Sequence, residues 1–223
     1  MQKPDLQYCV TADGSYTFYV REMDECYHSI YGALQESRHV FIDQGLKQIN
    51  ASTIRILEVG FGTGLNALLT GLEALDKGLQ IFYHAIECHP LAWEVVKGMN
   101  YGAKINEPAQ ELFEQIHRAA WEQEVAVSPN FSLQKIQHDF CQFEPSESYD
   151  LIYFDAFAPE KQPAMWEQAH HERLFRALKP GGLLVTYSAK GLVKRMLRAT
   201  GYHVSRVAGP PGKHQMLRAE KPK

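Results

Sequence analysis

A chain of 223 residues, 45% hydrophobic and 22% charged, has the composition of a folded globular domain and excludes a disordered or fibrous protein. No stretch reaches the roughly 18 apolar residues a membrane span needs, and the opening MQKPDLQYCVTADGSYTFYV lacks a signal-peptide pattern, so a cytoplasmic protein with no membrane partner is expected. The net charge of −3 is unevenly spread: residues 187–223 hold nine Lys or Arg against one acid, Glu220, while residues 1–186 hold 14 against 25, so a basic end either attracts a polyanion or is simply a solvated face.

Residues 1–50 follow no repeating pattern; Tyr16 to Val20 reads as a strand, and the rest as a cap or extension at the entrance to a site. From residue 51 to 223 short apolar runs alternate with longer helical ones, the pattern of βαβ units in an α/β fold with a mostly parallel sheet. Thr53 to Val59 is the first strand, followed by a glycine-rich turn and a helix to about Asp76, stopped by Gly78. Gln80 to Glu87 is the second strand. Helices are expected over Leu91 to Lys97 and Pro108 to Glu124, and a half-exposed strand over Phe131 to His138. Tyr149 to Asp155 suits a central strand. A helix from Met165 to Leu178 ends at Lys179-Pro180-Gly181-Gly182, followed by a strand over Leu183 to Ser188 and a basic helix over Gly191 to Thr200. Closing strands fall at Tyr202 to Val207 and His214 to Ala219.

Cys9, Cys26, Cys88 and Cys141 have no zinc-ligand spacing and read as free thiols. His84, Glu87 and His89, and the run His170-His171-Glu172, also lack such spacing, so no metal is expected.

The segment EVGFGTGLN, from Glu58 to Asn66, lies between a strand and a helix. Gly60, Gly62 and Gly64 let the backbone turn tightly and approach a ligand at the carboxyl end of the sheet. A nucleoside triphosphate loop would need Lys-Ser/Thr where Leu65-Asn66 stands, and a dinucleotide loop prefers G-x-G-x-x-G. The tighter E-x-G-x-G-x-G resembles the first motif of class I methyltransferases. That resemblance implies a Rossmann-like seven-stranded sheet with helices on both faces and S-adenosyl-L-methionine as cofactor. It places Glu58 toward the methionine end and passes Gly60, Phe61, Gly62, Thr63, Gly64 and Asn66 under the ligand. Glu87, 27 residues after Gly60, stands where a carboxylate takes ribose hydroxyls, a placement that also fits NAD. By the same resemblance Asp139 and Phe140 sit near the adenine; a lone Asp there is also a common helix cap.

The second distinctive segment is DAFAPEKQPAMW, from Asp155 to Trp166. A carboxylate, two aromatics (Phe157, Trp166) and two prolines (Pro159, Pro163) crowd a loop at the same sheet edge. By resemblance to methyltransferases that act on amines, such an acid would orient the acceptor; the other reading is a helix cap beside packed aromatics.

Together GFGTGLN, DAFAPEKQPAMW, GPPGKHQMLRA and YHSIYGALQESRHVFI (residues 27–42) resemble the methyltransferase half of the bifunctional enzyme of tRNA 5-methylaminomethyl-2-thiouridine biosynthesis and its stand-alone relatives, over roughly residues 27–219. Gln162 stands where that family usually has Asn, and His214 where it commonly has Arg. The resemblance implies N-methylation of 5-aminomethyl-(2-thio)uridine at the tRNA wobble position, with the anticodon region as partner. It also implies a separate upstream enzyme supplying the aminomethyl form, since no flavin oxidase half fits this length; a monomer is expected. Asp155 then contacts the amine as the catalytic residue, and Phe157, Pro159, Trp166, Lys190 and Lys213 bind substrate. Lys194, Arg195, Arg198 and Arg218 join Lys190 and Lys213 as candidates for tRNA phosphates. The alternatives are a methyltransferase for a small-molecule or protein amine and a catalytically silent adenosine- or tRNA-binding module. An NAD-dependent oxidoreductase is disfavoured by the glycine spacing.

Overall fold

Apolar runs of six to nine residues, too short for stable helices, build the centre of the molecule. The computed structural model describes residues 5–223. Its main-sheet strands are β4 (Thr53–Val59), β5 (Gln80–Glu87), β6 (Glu124–Ser128), β7 (Phe131–Gln137), β8 (Tyr149–Phe154), β9 (Leu178–Thr186), β10 (His203–Ala208) and β11 (Gln215–Glu220). Their order is β10-β11-β9-β8-β4-β5-β7-β6. The five inner strands run parallel; β11 returns antiparallel between β9 and β10, and β6 is antiparallel to β7. From β4 the chain winds one way through β5 to β7, then crosses back to β8 and β9. The strand order therefore reverses between β4 and β8, and ligands in open α/β sheets bind outside the carboxyl ends at that point.

Strand alternation supplies two apolar faces. Leu151 and Tyr153 of β8 join one core cluster, and Ile152 and Phe154 join another. The first cluster is covered by α2 (Leu65–Lys77) and α5 (Glu107–Arg118), the second by α6 (Gln168–Ala177) and α7 (Gly191–Thr200). Asn106 caps α5, its Oδ1 accepting from the Ala109 N–H at 2.9 Å. Between β5 and α5 lie two short helices, α3 (Trp93–Val96) and α4 (Tyr101–Ile105).

The amino-terminal segment forms a separate antiparallel sheet of β1 (Leu6–Val10), β2 (Tyr16–Val20) and β3 (Glu25–Cys26), then α1 (Ala33–Ser37), a π-helical turn at Arg38–Asp43 and a 3-10 turn at Leu46–Gln48. Residues 1–4 of the expected extension lie outside the described residues. The rest does more than cover the site: Val40, Phe41, Ile42 and Leu46 are buried, and the Phe41 ring packs 5.0 Å from Tyr153 of β8.

Four expectations are corrected. The helix expected to run to Glu124 ends at Arg118, and EVAVS becomes β6, an eighth strand, because it finds a partner in β7. The helix at Leu91–Lys97 shrinks to one turn. The helix expected from Met165 is split into a 3-10 turn, Pro163–Trp166, and α6. Lys179 to Gly182 do not divide helix from strand but bulge within β9: Tyr149 pairs with Leu178 and Leu151 with Leu183, while Gly181 N–H and Gly182 C=O bond to Lys221.

Candidate active site

The turn after β4 is shaped by two glycine positions. Gly60 has φ +92°, and a Cβ there would stand 2.8 Å from the Asp155 carbonyl oxygen; Gly64 has φ +73°, and its Cβ would meet the His117 ring at 2.7 Å. Only glycine fits both the dihedral and the space. The N–H groups of Gly60 and Phe61 share the Ile86 carbonyl, at 3.0 and 3.2 Å. Thr63 is clamped from three sides: its Oγ1 lies 2.7 Å from His28 Nε2 and 3.4 Å from the Tyr101 hydroxyl, and its carbonyl accepts from His117 Nε2 at 3.1 Å. Burial holds both imidazoles neutral, with pKa values near 4. Phe61 anchors the turn from behind, against His117, Trp121 and the buried Lys135.

The carboxylates of β4 and β8 meet over α2. Asn66 Nδ2 donates to Glu58 Oε1 at 2.9 Å and to Asp155 Oδ2 at 2.8 Å. Burial raises the Glu58 pKa well above the usual carboxylate range, and it pushes Asp155 up to about 7 against the opposing Asn66 hydrogen bond. Among the described residues, Glu58 Oε2 and Asn66 Oδ1 are buried without partners. On β5, Glu87 accepts from Gly62 N–H at 3.0 Å and from His89 N–H at 2.8 Å, which fixes its orientation. Asp139 caps the 3-10 turn Phe140–Gln142, accepting from Cys141 N–H at 2.9 Å, and Phe140 packs 5.6 Å from Phe154.

Gly60, Phe61, Gly62, Thr63, Asn66, Glu87, Asp139, Phe140, Asp155, Phe157 and Lys213 line one cavity of about 1600 Å³. That exceeds the roughly 300–1,000 Å³ of a single ligand pocket, leaving room for a cofactor and an acceptor together. Glu58 and Gly64 stand behind this wall; Glu58 reaches it through Asn66. The residues fit S-adenosyl-L-methionine. The side-chain-free turn leaves room for a ligand against the backbone, and the Glu87 carboxylate is held at the cavity wall by two backbone N–H groups.

On the loop after β8, the Phe157 ring lies edge-on to Tyr27 at 5.1 Å. Trp166 is placed differently from the expectation of a substrate contact. It is buried, its Nε1 donates to the Phe157 carbonyl at 2.8 Å, and its ring packs on Phe154 and His171, so it braces the loop from inside. Pro159 is also buried outside the cavity lining. Lys190 opens α7 on an adjoining hollow and pairs with Glu160. Lys213 pairs with the buried Glu36 at 2.6 Å, its ammonium 4.0 Å from the Tyr187 ring centroid. Glu36, Tyr27 and Tyr187 give no local signal in the sequence, because their partners are remote along the chain. Tyr187 donates to the Ala156 carbonyl at 3.0 Å, fixing the backbone beside Asp155.

Lys194 lies near Arg198 and Arg206; desolvation and then those two like charges lower its pKa. Arg195 is exposed, and Arg218 of β11 pairs in register with Ser205 of β10. Among the described residues no group of three or more His, Cys, Asp or Glu is placed to hold a metal, and no helix is long and apolar enough to cross a membrane. His84 bonds Tyr149, His170 accepts from Arg173, and the four cysteines are unpaired.

Three comparisons bear on this geometry. The chain is 34% identical over 215 residues to the tRNA 5-methylaminomethyl-2-thiouridine biosynthesis bifunctional protein MnmC of Cupriavidus necator, covering 89% of this chain and 32% of that protein. It is 30% identical over 236 residues to the MnmC of Pseudoalteromonas atlantica, covering 96% and 33%. The chain thus spans about a third of the length of these relatives. The crystal structure of MNMC2 from Aquifex aeolicus superposes with a TM-score of 0.82 at 24% identity, over 100% of this chain and 73% of that one, and shows the same fold. Residues 103–222 match the family described as S-adenosyl-L-methionine-dependent methyltransferase. With a glycine cradle, paired acids and a cavity large enough for donor and acceptor, the chain belongs to the S-adenosyl-L-methionine-dependent methyltransferases, and that compound is its cofactor.

Proposed function

We propose that this protein methylates the amine of 5-aminomethyl-(2-thio)uridine at the wobble position of tRNA, giving 5-methylaminomethyl-(2-thio)uridine. The observation that carries the reading is the Asp155 carboxyl, set in the cavity wall against the glycine turn and held near neutrality. Relatives named for tRNA 5-methylaminomethyl-2-thiouridine biosynthesis supply the substrate class. S-adenosyl-L-methionine, when bound, supplies an electrophilic methyl group. The residues of this chain supply the acceptor's geometry and its proton path. An alkylamine has a pKa of about 10 and arrives as an ammonium, unreactive until it loses a proton. Asp155, poised near 7, holds that ammonium when ionised and can take its proton. Phe157 and Tyr27 offer aromatic surface to an unstacked uracil. The basic side chains of α7, with Lys213 and Arg218, contact phosphates of the anticodon arm.

Incubation with tritiated cofactor, bulk tRNA from cells lacking the modification, and protein extract tests the substrate class. Label should enter the tRNA; label confined to protein or to small molecules would reject RNA as the acceptor.

A further inference from the structure

Asn66 spans two sites with one nitrogen. Its two amide hydrogens go to different carboxylates, Glu58 Oε1 at 2.9 Å and Asp155 Oδ2 at 2.8 Å, on neighbouring strands that meet at the switch in sheet order. The residue is 2% exposed and lies on the first turn of α2, two positions after the Gly64 that sets the helix start. Asp155 has no other side-chain donor: among the described residues, its one side-chain hydrogen bond is the one from Asn66. The ionisable groups facing it are Glu58 on β4, Glu36 on α1 and Lys213 before β11, with the phenols of Tyr83 and Tyr187. Lys213 is already held by Glu36, so it does not replace Asn66 as a donor.

We propose that Asn66 is the positioning residue of the acceptor site: one amide hydrogen aims Asp155 and favours its charged form while the other anchors the same amide to Glu58, so a single side chain sets both ends of the cavity. The proposal rests on the acceptor role given to Asp155 above. Both amide hydrogens are consumed by protein, and Oδ1, the remaining polar atom of the side chain, is buried without a partner among the described residues. Asn66 therefore acts on the acceptor through Asp155 rather than by donating to a ligand itself. A donor to a carboxylate stabilises its charged form, so losing it shifts the acid's titration upward.

Asn66→Ala tests this in two readouts. The first needs no turnover: the carboxylic acid band of Asp155, isolated as the infrared difference between a protein and its Asp155→Asn counterpart, is titrated in the ligand-free state. Removing a hydrogen bond to a charged group should move its midpoint up by about one pH unit or more. The second is the pH profile of kcat/KM for tRNA. At neutral pH the variant should lose activity on the order of 10²-fold, as a misplaced catalytic group does, and part of that loss should return as the pH is raised past the new midpoint. A residue that merely supports the fold would not give rescue by pH. Should Asn66→Ala not fold, Asn66→Ser, with no amide to span both acids, is read the same way. An unshifted infrared midpoint together with a wild-type pH profile overturns the proposal. If the wild-type protein methylates no tRNA, the substrate reading fails instead, and the infrared titration still decides the role of Asn66.

Discussion

Asp155 enters its site at the cost of its charge. A carboxyl raised from 3.8 to about 7 binds its proton more tightly in the folded chain than in the unfolded one. The stability this contributes is fully present below pH 4 and is lost as the pH rises through 7, with a ceiling on the order of 4 kcal/mol. Asp155→Asn should therefore melt higher than the wild type at pH 8, with the difference vanishing by about pH 4, while methyl transfer falls on the order of 10²- to 10⁴-fold. Thermal unfolding at the two pH values checks the first statement; equal stability at pH 8 would show that burial does not penalise the charge. The placement of Glu58, Glu87 and Asp155 at the carboxyl edge of the sheet was legible in the sequence because each closes an apolar strand. Trp166 was misplaced because a tryptophan in a proline-rich loop reads alike whether it faces a ligand or the loop's own core. Its indole bond to Phe157 decides that only in three dimensions. Glu36 was invisible because the Lys213 that holds it lies 177 residues away.

At the scale of elements, α7 carries the prediction for RNA. Lys194 and Arg198 lie one turn apart beside Arg206 of β10, and among the described residues none of the three has an acidic partner within salt-bridge distance. Replacing Lys194 and Arg198 with Gln should flatten the dependence of log tRNA affinity on log salt by about 0.7 for each phosphate they neutralise. An unchanged slope across a salt titration would make this a solvated face. The boundaries of β4, β5 and α7 followed from local pattern alone: apolar runs closed by glycine or acid, and a basic amphipathic stretch over Gly191–Thr200. Strand β6 did not. EVAVS is too short and too polar to declare itself, and it becomes a strand only by pairing with β7. The bulge in β9 was hidden for the converse reason, since Pro-Gly-Gly signals a break that the partners Asp150 and Lys221 bridge.

For the whole molecule, the amino-terminal segment matters most. Its sequence lacks the βαβ rhythm and was expected only to cap the site, yet it supplies core as well as cavity wall. Phe41 is 1% exposed against the main sheet, His28 holds Thr63 in the glycine turn, and Glu36 anchors Lys213. Phe41→Ala should cost about 3–5 kcal/mol in a single unfolding transition of the full chain. A cost below about 1 kcal/mol, or a separate early transition, would make the segment an appendage. The segment lines the same cavity as the glycine turn and the loop after β8. The most direct test is mass spectrometry of the wobble nucleoside after undermodified tRNA is incubated with the protein and S-adenosyl-L-methionine. The 5-aminomethyl-(2-thio)uridine should gain one methyl group with the wild-type protein and none with Asp155→Asn. An unmodified wobble nucleoside after incubation with wild-type protein that binds the cofactor would contradict the proposed reaction.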